Sequence, residues 1–95
     1  MFGLSKEVYS KIIDIVKKYK YDFYMFGSRA RGDFKDYSDI DLAICGELQD
    51  REEFKIRNDF DLIDIPYTVD LVFVNKVTKQ ELLESIKKEG VKLNG

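Results

Sequence analysis

Apolar residues recur at helical spacing near the start of the chain. Val8, Ile12, Ile15, Val16 and Tyr19 fall on one face, and Lys6, Asp14, Lys17 and Lys18 take much of the rest. Ser5 stands where a side-chain oxygen can cap the first turn, so the spacing predicts a helix from there to about Tyr19. Asp22 to Phe26 then reads as a short buried strand ending at Gly27. Ser28 to Arg31 reads as one helical turn, and Gly32 to Ser38 as a polar loop. Ile40, Leu42 and Ile44 alternate with Asp39, Asp41, Ala43 and Cys45, which is the period of a strand with one buried face. Asp50 and Glu53 have the spacing of a capping box and would open a second long helix to about Leu62. Pro66 precedes a strand from Tyr67 to Val74. Thr68, Asp70, Val72 and Val74 point to one side of it, and Val69, Leu71 and Phe73 to the other. Thr78 is placed to cap a last helix to Glu89, with Leu82, Leu83 and Ile86 inward. Gly90 fits a left-handed cap, and Val91 to Leu93 can add a short edge strand. Helices alternating with strands predict an α/β (α+β) domain: a small mixed sheet of three main strands and a C-terminal edge strand, with helices packed on it.

Composition narrows what such a domain can do. Its 95 residues make one domain spanning 1–95, with one core and little room for anything more. There is no histidine, which excludes a histidine general base, a Ser-His-Asp triad and imidazole metal ligands. A single cysteine, Cys45, excludes an internal disulfide and the common zinc-cluster spacings. Any metal must therefore be a hard cation on oxygen ligands, Mg²⁺ or Mn²⁺. The net charge of −2 does not attract nucleic acid to the molecule as a whole, so no direct nucleic-acid binding is expected. No apolar run approaches the ~18 residues of a membrane span. The first residues lack the basic-then-apolar order of a signal peptide, so the expected location is the cytoplasm.

The candidate chemistry lies in two neighbouring segments, Phe26-Gly27-Ser28-Arg29-Ala30-Arg31-Gly32 and Ser38-Asp39-Ile40-Asp41-Leu42-Ala43-Ile44. Asp39 and Asp41, two apart on a strand, project to one face, and Asp70 in the next strong strand can pair alongside. Three ionised carboxylates within ~5 Å would repel by roughly 3 kcal/mol per pair at an effective dielectric near 20. A divalent cation between them, or protonation of one, relieves that cost. The plain alternative is that Asp39 caps the loop and Asp41 is solvated at a sheet end. The preceding turn tilts the balance. Gly27 lets the backbone approach a ligand closely, and Ser28 offers a hydroxyl and opens a helical turn whose free N–H groups favour an anion. Arg31, with Arg29 and Lys35, flanks that turn and can offset phosphate charge, or can simply be solvated. Phe34 and Tyr37 can stack on a base or pack beneath the loop, and Cys45 reads as a small buried hydrophobe.

Together, FGSRARG, SDIDLAI and YTVDLVFVNKV resemble the nucleotidyltransferase superfamily that includes DNA polymerase β, and most closely its minimal members. The resemblance covers nearly the whole chain and departs at none of these positions. It implies that Gly27 and Ser28 hold a nucleoside triphosphate, that Asp39 and Asp41 bind two Mg²⁺ ions, and that Asp70 completes the catalytic and metal-binding carboxylates. The implied reaction moves a nucleoside monophosphate, AMP from ATP, to a hydroxyl. The minimal members are commonly paired with HEPN-domain proteins in toxin–antitoxin systems, and some act as antitoxin by transferring AMP to a tyrosine of that partner. Two other readings stay open: a non-catalytic antitoxin that neutralises by contact, and transfer to a small molecule such as an aminoglycoside through a separate acceptor-binding subunit.

Overall fold

The structure is a computed structural model, and it describes residues 1–94. Helix α1 (Lys6–Val16) begins where Ser5 caps it, the Ser5 hydroxyl accepting from the Val8 N–H at 3.2 Å. It stops three residues short of the expected Tyr19 because its bonding tightens. Lys18 and Tyr19 donate to Ile15 and Val16, three residues back rather than four, and this closes the helix in a turn. Tyr19 still packs on the core.

Strand β1 (Asp22–Phe26), the single turn α2 (Ser28–Arg31) and strand β2 (Ile40–Cys45) follow as the sequence predicts. Helix α3 (Asp50–Leu62) has the expected bounds but a different cap. Its N-cap is Gln49, whose backbone N–H donates to the Glu52 carboxylate at 3.4 Å, so Asp50 and Glu53 do not form the predicted box. Glu53 is drawn away by a tertiary partner, Lys76, and by Arg57 one turn on. Strand β3 (Val69–Phe73) is shorter than Tyr67 to Val74, because Val74–Lys76 wind into a 3₁₀ turn. Helix α4 (Gln80–Glu89) takes Lys79 rather than Thr78 as its N-cap. Gly90 is not left-handed: its φ is −64° and the chain runs straight into strand β4 (Val91–Lys92). Glycine is needed there for closeness instead, since a Cβ would lie 2.5 Å from the Ile86 carbonyl oxygen.

The four strands form one mixed sheet in the order β3-β2-β1-β4. β2 runs antiparallel to β1 and parallel to β3, and β4 pairs antiparallel on the outer side of β1. A parallel pair needs a long crossover, which α3 supplies. One face of the sheet carries the main core. Phe23, Met25, Ile40, Leu42 and Ile44 are fully buried there against Ile12 and Val16 of α1 and Ile56 and Phe60 of α3. Each such side chain contributes roughly 1.5–3 kcal/mol of burial, so this face anchors the fold. Val69, Leu71 and Phe73 join it, as the alternation of β3 predicts. The opposite face is thinner. Phe26, Ala43 and Ile86 are buried there, with Tyr24, Val72, Val74 and Leu82 packed around them under α4.

Candidate active site

Asp41 and Asp70 emerge on the thinner face, at the start of β2 and early in β3. The parallel ladder sets them directly opposite each other, Asp41 against Asp70 and Ala43 against Val72. On its other side, Asp41 pairs with Phe26, so the chain turns at Gly27 beside its carboxylate. Asp39 lies one pleat earlier, just outside β2, where the Ile40 N–H donates to the Thr68 carbonyl at 2.9 Å and starts the ladder. Asp39 and Asp70 are exposed, and Asp41 is half-buried. Burial first, then Asp70 and Asp39, push the Asp41 carboxyl up from its ordinary value, and Arg31 pulls it down.

Gly27 holds φ +73° and ψ −155°, a region that side chains rarely enter. A methyl at Gly27 would overlap the Asp41 carboxylate. The glycine thus serves two needs, the sharp exit from β1 and room for Asp41. Past it, the Arg31 N–H bonds back to the Gly27 carbonyl at 3.1 Å and the Gly32 N–H to Ser28 at 2.9 Å. The N–H groups ahead of Arg31 have no carbonyl one turn back to meet.

Arg31 reaches the site electrostatically but is held by others. Its guanidinium donates to Glu89 of α4 at 2.8 Å and to Asp33 at 3.2 Å, which raise its pKa in that order. Arg29 is not solvated: it is 2% exposed, and its guanidinium is taken up by neighbouring groups of the chain. It donates to the backbone carbonyls of Phe2, Asp36 and Ser38 and lies between the rings of Phe34 and Tyr67. Phe34 therefore packs beneath the loop, while Tyr37, two residues before Asp39, is 89% exposed. Cys45 is half-buried, and burial, then Asp22, push its thiol up.

Asp39, Asp41 and Asp70 make an all-oxygen donor set, the chemistry that a hard divalent cation takes. Three carboxylates share one sheet corner, and Asp41 is disfavoured as an anion by burial first and then by the other two. Among the described residues, no three carboxylates or other ligating side chains are close enough to form a cage by themselves. Asp39 and Asp70 lie on open surface, and Asp41 is half-buried. A groove of about 730 Å³ lined by Tyr24, Cys45, Val74, Leu83 and Ile86 lies at the far end of β2, and none of the three aspartates lines it.

Residues 10–94 match the family model described as polymerase beta, nucleotidyltransferase. The chain belongs to this nucleotidyltransferase family. It is 37% identical over 70 residues to a Haemophilus influenzae protein described as "Probable protein adenylyltransferase MntA". That alignment takes in 72% of this chain and 60% of that protein, so the chain spans about three fifths of its relative's length. Among solved structures, a toxin–antitoxin complex with AMP-PNP superimposes with a TM-score of 0.70 at 25% identity. The match covers 92% of this chain and 73% of that one. A tri-AMPylated Shewanella oneidensis HEPN toxin in complex with an MNT antitoxin matches with a TM-score of 0.64 at 22% identity, over 97% and 73% of the two chains. The latter likeness attests the nucleotidyltransferase fold. Among the described residues, no helix is long and apolar enough to cross a membrane.

Proposed function

We propose that this family member is a divalent-metal-dependent adenylyltransferase that moves AMP from ATP to a tyrosine hydroxyl of a HEPN-domain toxin, and so acts as its antitoxin in the cytoplasm. The observation that carries the reading is the pairing of Asp41 with Asp70 across a parallel ladder, with Gly27 cleared from the Asp41 carboxylate. The likeness to a probable protein adenylyltransferase, and to a toxin–antitoxin complex that holds AMP-PNP, supports the choice of nucleotide and acceptor. An open corner with exposed Asp39 and Asp70 suits an acceptor carried by another protein better than a small molecule, which a closed pocket would hold.

In this reading the backbone at Gly27 and the Ser28 hydroxyl hold the triphosphate, and Arg31 leaves Glu89 to meet its charge. Asp39, Asp41 and Asp70 would hold two Mg²⁺ ions, or Mn²⁺. Bound there, the ions would neutralise phosphate charge and lower the pKa of the attacking hydroxyl. Asp70, exposed at the corner, accepts the proton of that hydroxyl, a task that falls to a carboxylate because the chain has no histidine. The hydroxyl oxygen bonds to the α-phosphorus as the bond to pyrophosphate breaks.

The test is to incubate the protein with ATP, Mg²⁺ and its HEPN partner and to weigh the partner intact. A gain of adenylyl units, lost with Asp41→Asn, is the expected result. Neutralisation of the partner by an Asp39→Ala/Asp41→Ala variant, without any gain in mass, would replace catalysis by binding alone.

A further inference from the structure

Arg29 is a buried cation whose recorded partners are backbone carbonyls and aromatic rings. Four of its five N–H groups are used. Nε and Nη2 both donate to the Ser38 carbonyl, at 3.1 and 2.9 Å; Nη1 donates to Phe2 at 2.9 Å, and Nη2 also to Asp36 at 3.4 Å. The rings of Phe34 and Tyr67 lie 5.0 and 4.7 Å from the guanidinium carbon. From this arrangement we infer that Arg29 is a positioning residue for Asp39, and through Asp39 for the divalent cation that this carboxylate would help to hold.

The physical link is the peptide plane. The Ser38 carbonyl belongs to the same rigid unit as the Asp39 nitrogen, so a two-pronged grip on that oxygen fixes the plane from which Asp39 projects. Asp39 needs such a hold more than its neighbours do. Asp41 and Asp70 are fixed by the ladder, whereas Asp39 is exposed and precedes the first residue of β2. The loop is tied a second time where the Lys35 N–H donates to the Ser38 hydroxyl at 2.7 Å. Arg29 also joins the three parts of the site. It belongs to the Gly27-Ser28 turn, it grips the residue before Asp39, and it stacks on Tyr67, whose successor Thr68 accepts from Ile40. Lysine could keep the charge but could not present two coplanar N–H groups to one oxygen.

The inference rests on the metal-site reading above, and the experiment separates the two. AMP-PNP affinity would be measured by calorimetry with EDTA and with Mg²⁺, on the unaltered protein, Arg29→Lys, Asp39→Ala and the double variant. In the unaltered protein Mg²⁺ should tighten binding. In Arg29→Lys the affinity in EDTA should stay within about two-fold, while the tightening by Mg²⁺ falls at least five-fold. The double variant should lose no more than Asp39→Ala alone. Equal tightening by Mg²⁺ in folded Arg29→Lys, or additive losses in the double variant, would overturn the inference. No tightening in the unaltered protein would overturn the metal site itself. Should Arg29→Lys fail to fold, hydrogen exchange at Arg29 Nε in the unaltered protein decides. Slowing by Mg²⁺ with AMP-PNP supports the grip, and unchanged exchange refutes it.

Discussion

Replacing Gly27 with alanine probes fold and site in one step. At φ +73° and ψ −155° a side chain costs ~1–3 kcal/mol in backbone strain. Loss of glycine's freedom in the unfolded chain returns ~0.4–1 kcal/mol. The net destabilisation is then about 1–2 kcal/mol, which for a domain of this size lowers the melting midpoint by roughly 4–16 °C. The new methyl also overlaps the Asp41 carboxylate, which must move. A displacement of ~1 Å at a reacting centre costs about 100-fold in rate, so adenylyl transfer should fall far more than stability does. Urea denaturation gives the first quantity and a single-turnover transfer assay the second. An Asp41→Ala background removes the overlapping group and leaves the strain. There Gly27→Ala should cost measurably less than in the unaltered protein. An unshifted melting midpoint would show that Gly27 bears no backbone strain, and the same cost in both backgrounds that the methyl does not meet Asp41.

Three other outcomes follow from the same geometry. Without divalent ions, Asp41→Asn should melt higher than the unaltered protein, by about 1 kcal/mol or less given the open setting, because it removes a charge that burial, Asp70 and Asp39 disfavour. A lower melting point would show that the carboxylates do not repel in the apoprotein. Tyr19 donates to Asp59, and burial, with Asp59 behind it, pushes its pKa up to about 12. The folded chain keeps that proton where the unfolded chain loses it. The contribution is therefore whole below about pH 10 and lost as pH rises to about 12. Stability should fall more steeply across that window in the unaltered protein than in Tyr19→Phe, and parallel denaturation curves would contradict this. Finally, Glu89→Gln should release Arg31 and tighten ATP binding several-fold with little change in melting, since the Arg31 side of the pair is open to solvent. Calorimetry that finds equal or weaker binding would mean that Arg31 does not serve the triphosphate.

What could be read from the sequence was what local rules govern. The alternation of Ile40, Leu42 and Ile44 placed Asp41 on the face away from the main core, and Gly27 marked the exit from β1, because period and glycine act within a few residues. Where two local solutions competed, tertiary contacts chose between them. Asp50 with Glu53 and Gln49 with Glu52 satisfy the same spacing, and Lys76, distant in sequence, claimed Glu53. Gly90 was correct as a glycine and wrong in its reason, because the oxygen it must avoid lies on Ile86 and its φ is ordinary. Arg29 was out of reach for the same cause. Its partners include Phe2 and Tyr67, 27 and 38 positions away, and no period or motif spacing connects them. The strand order, and the parallel sense of β2 against β3, depend likewise on pairing between segments that no local signal joins.

The ladder that sets Asp41 opposite Asp70 also protects the protein while it folds. A slip of one residue between β2 and β3 would turn every side chain of β3 to the other face. Asp70 would then enter the layer of Leu42 and Ile44, and a lone carboxylate in that layer must either give up its charge or bear a desolvation cost larger than the few kcal/mol a domain can spare. Val69, Leu71 and Phe73 would at the same time turn away from the main core. A misregistered chain is therefore penalised twice, and part of the penalty comes from a carboxylate that the proposed reaction would use. On that proposal, chemistry and resistance to misfolding depend on one residue, so a variant that neutralises Asp70 should tolerate wrong pairings that the unaltered chain rejects.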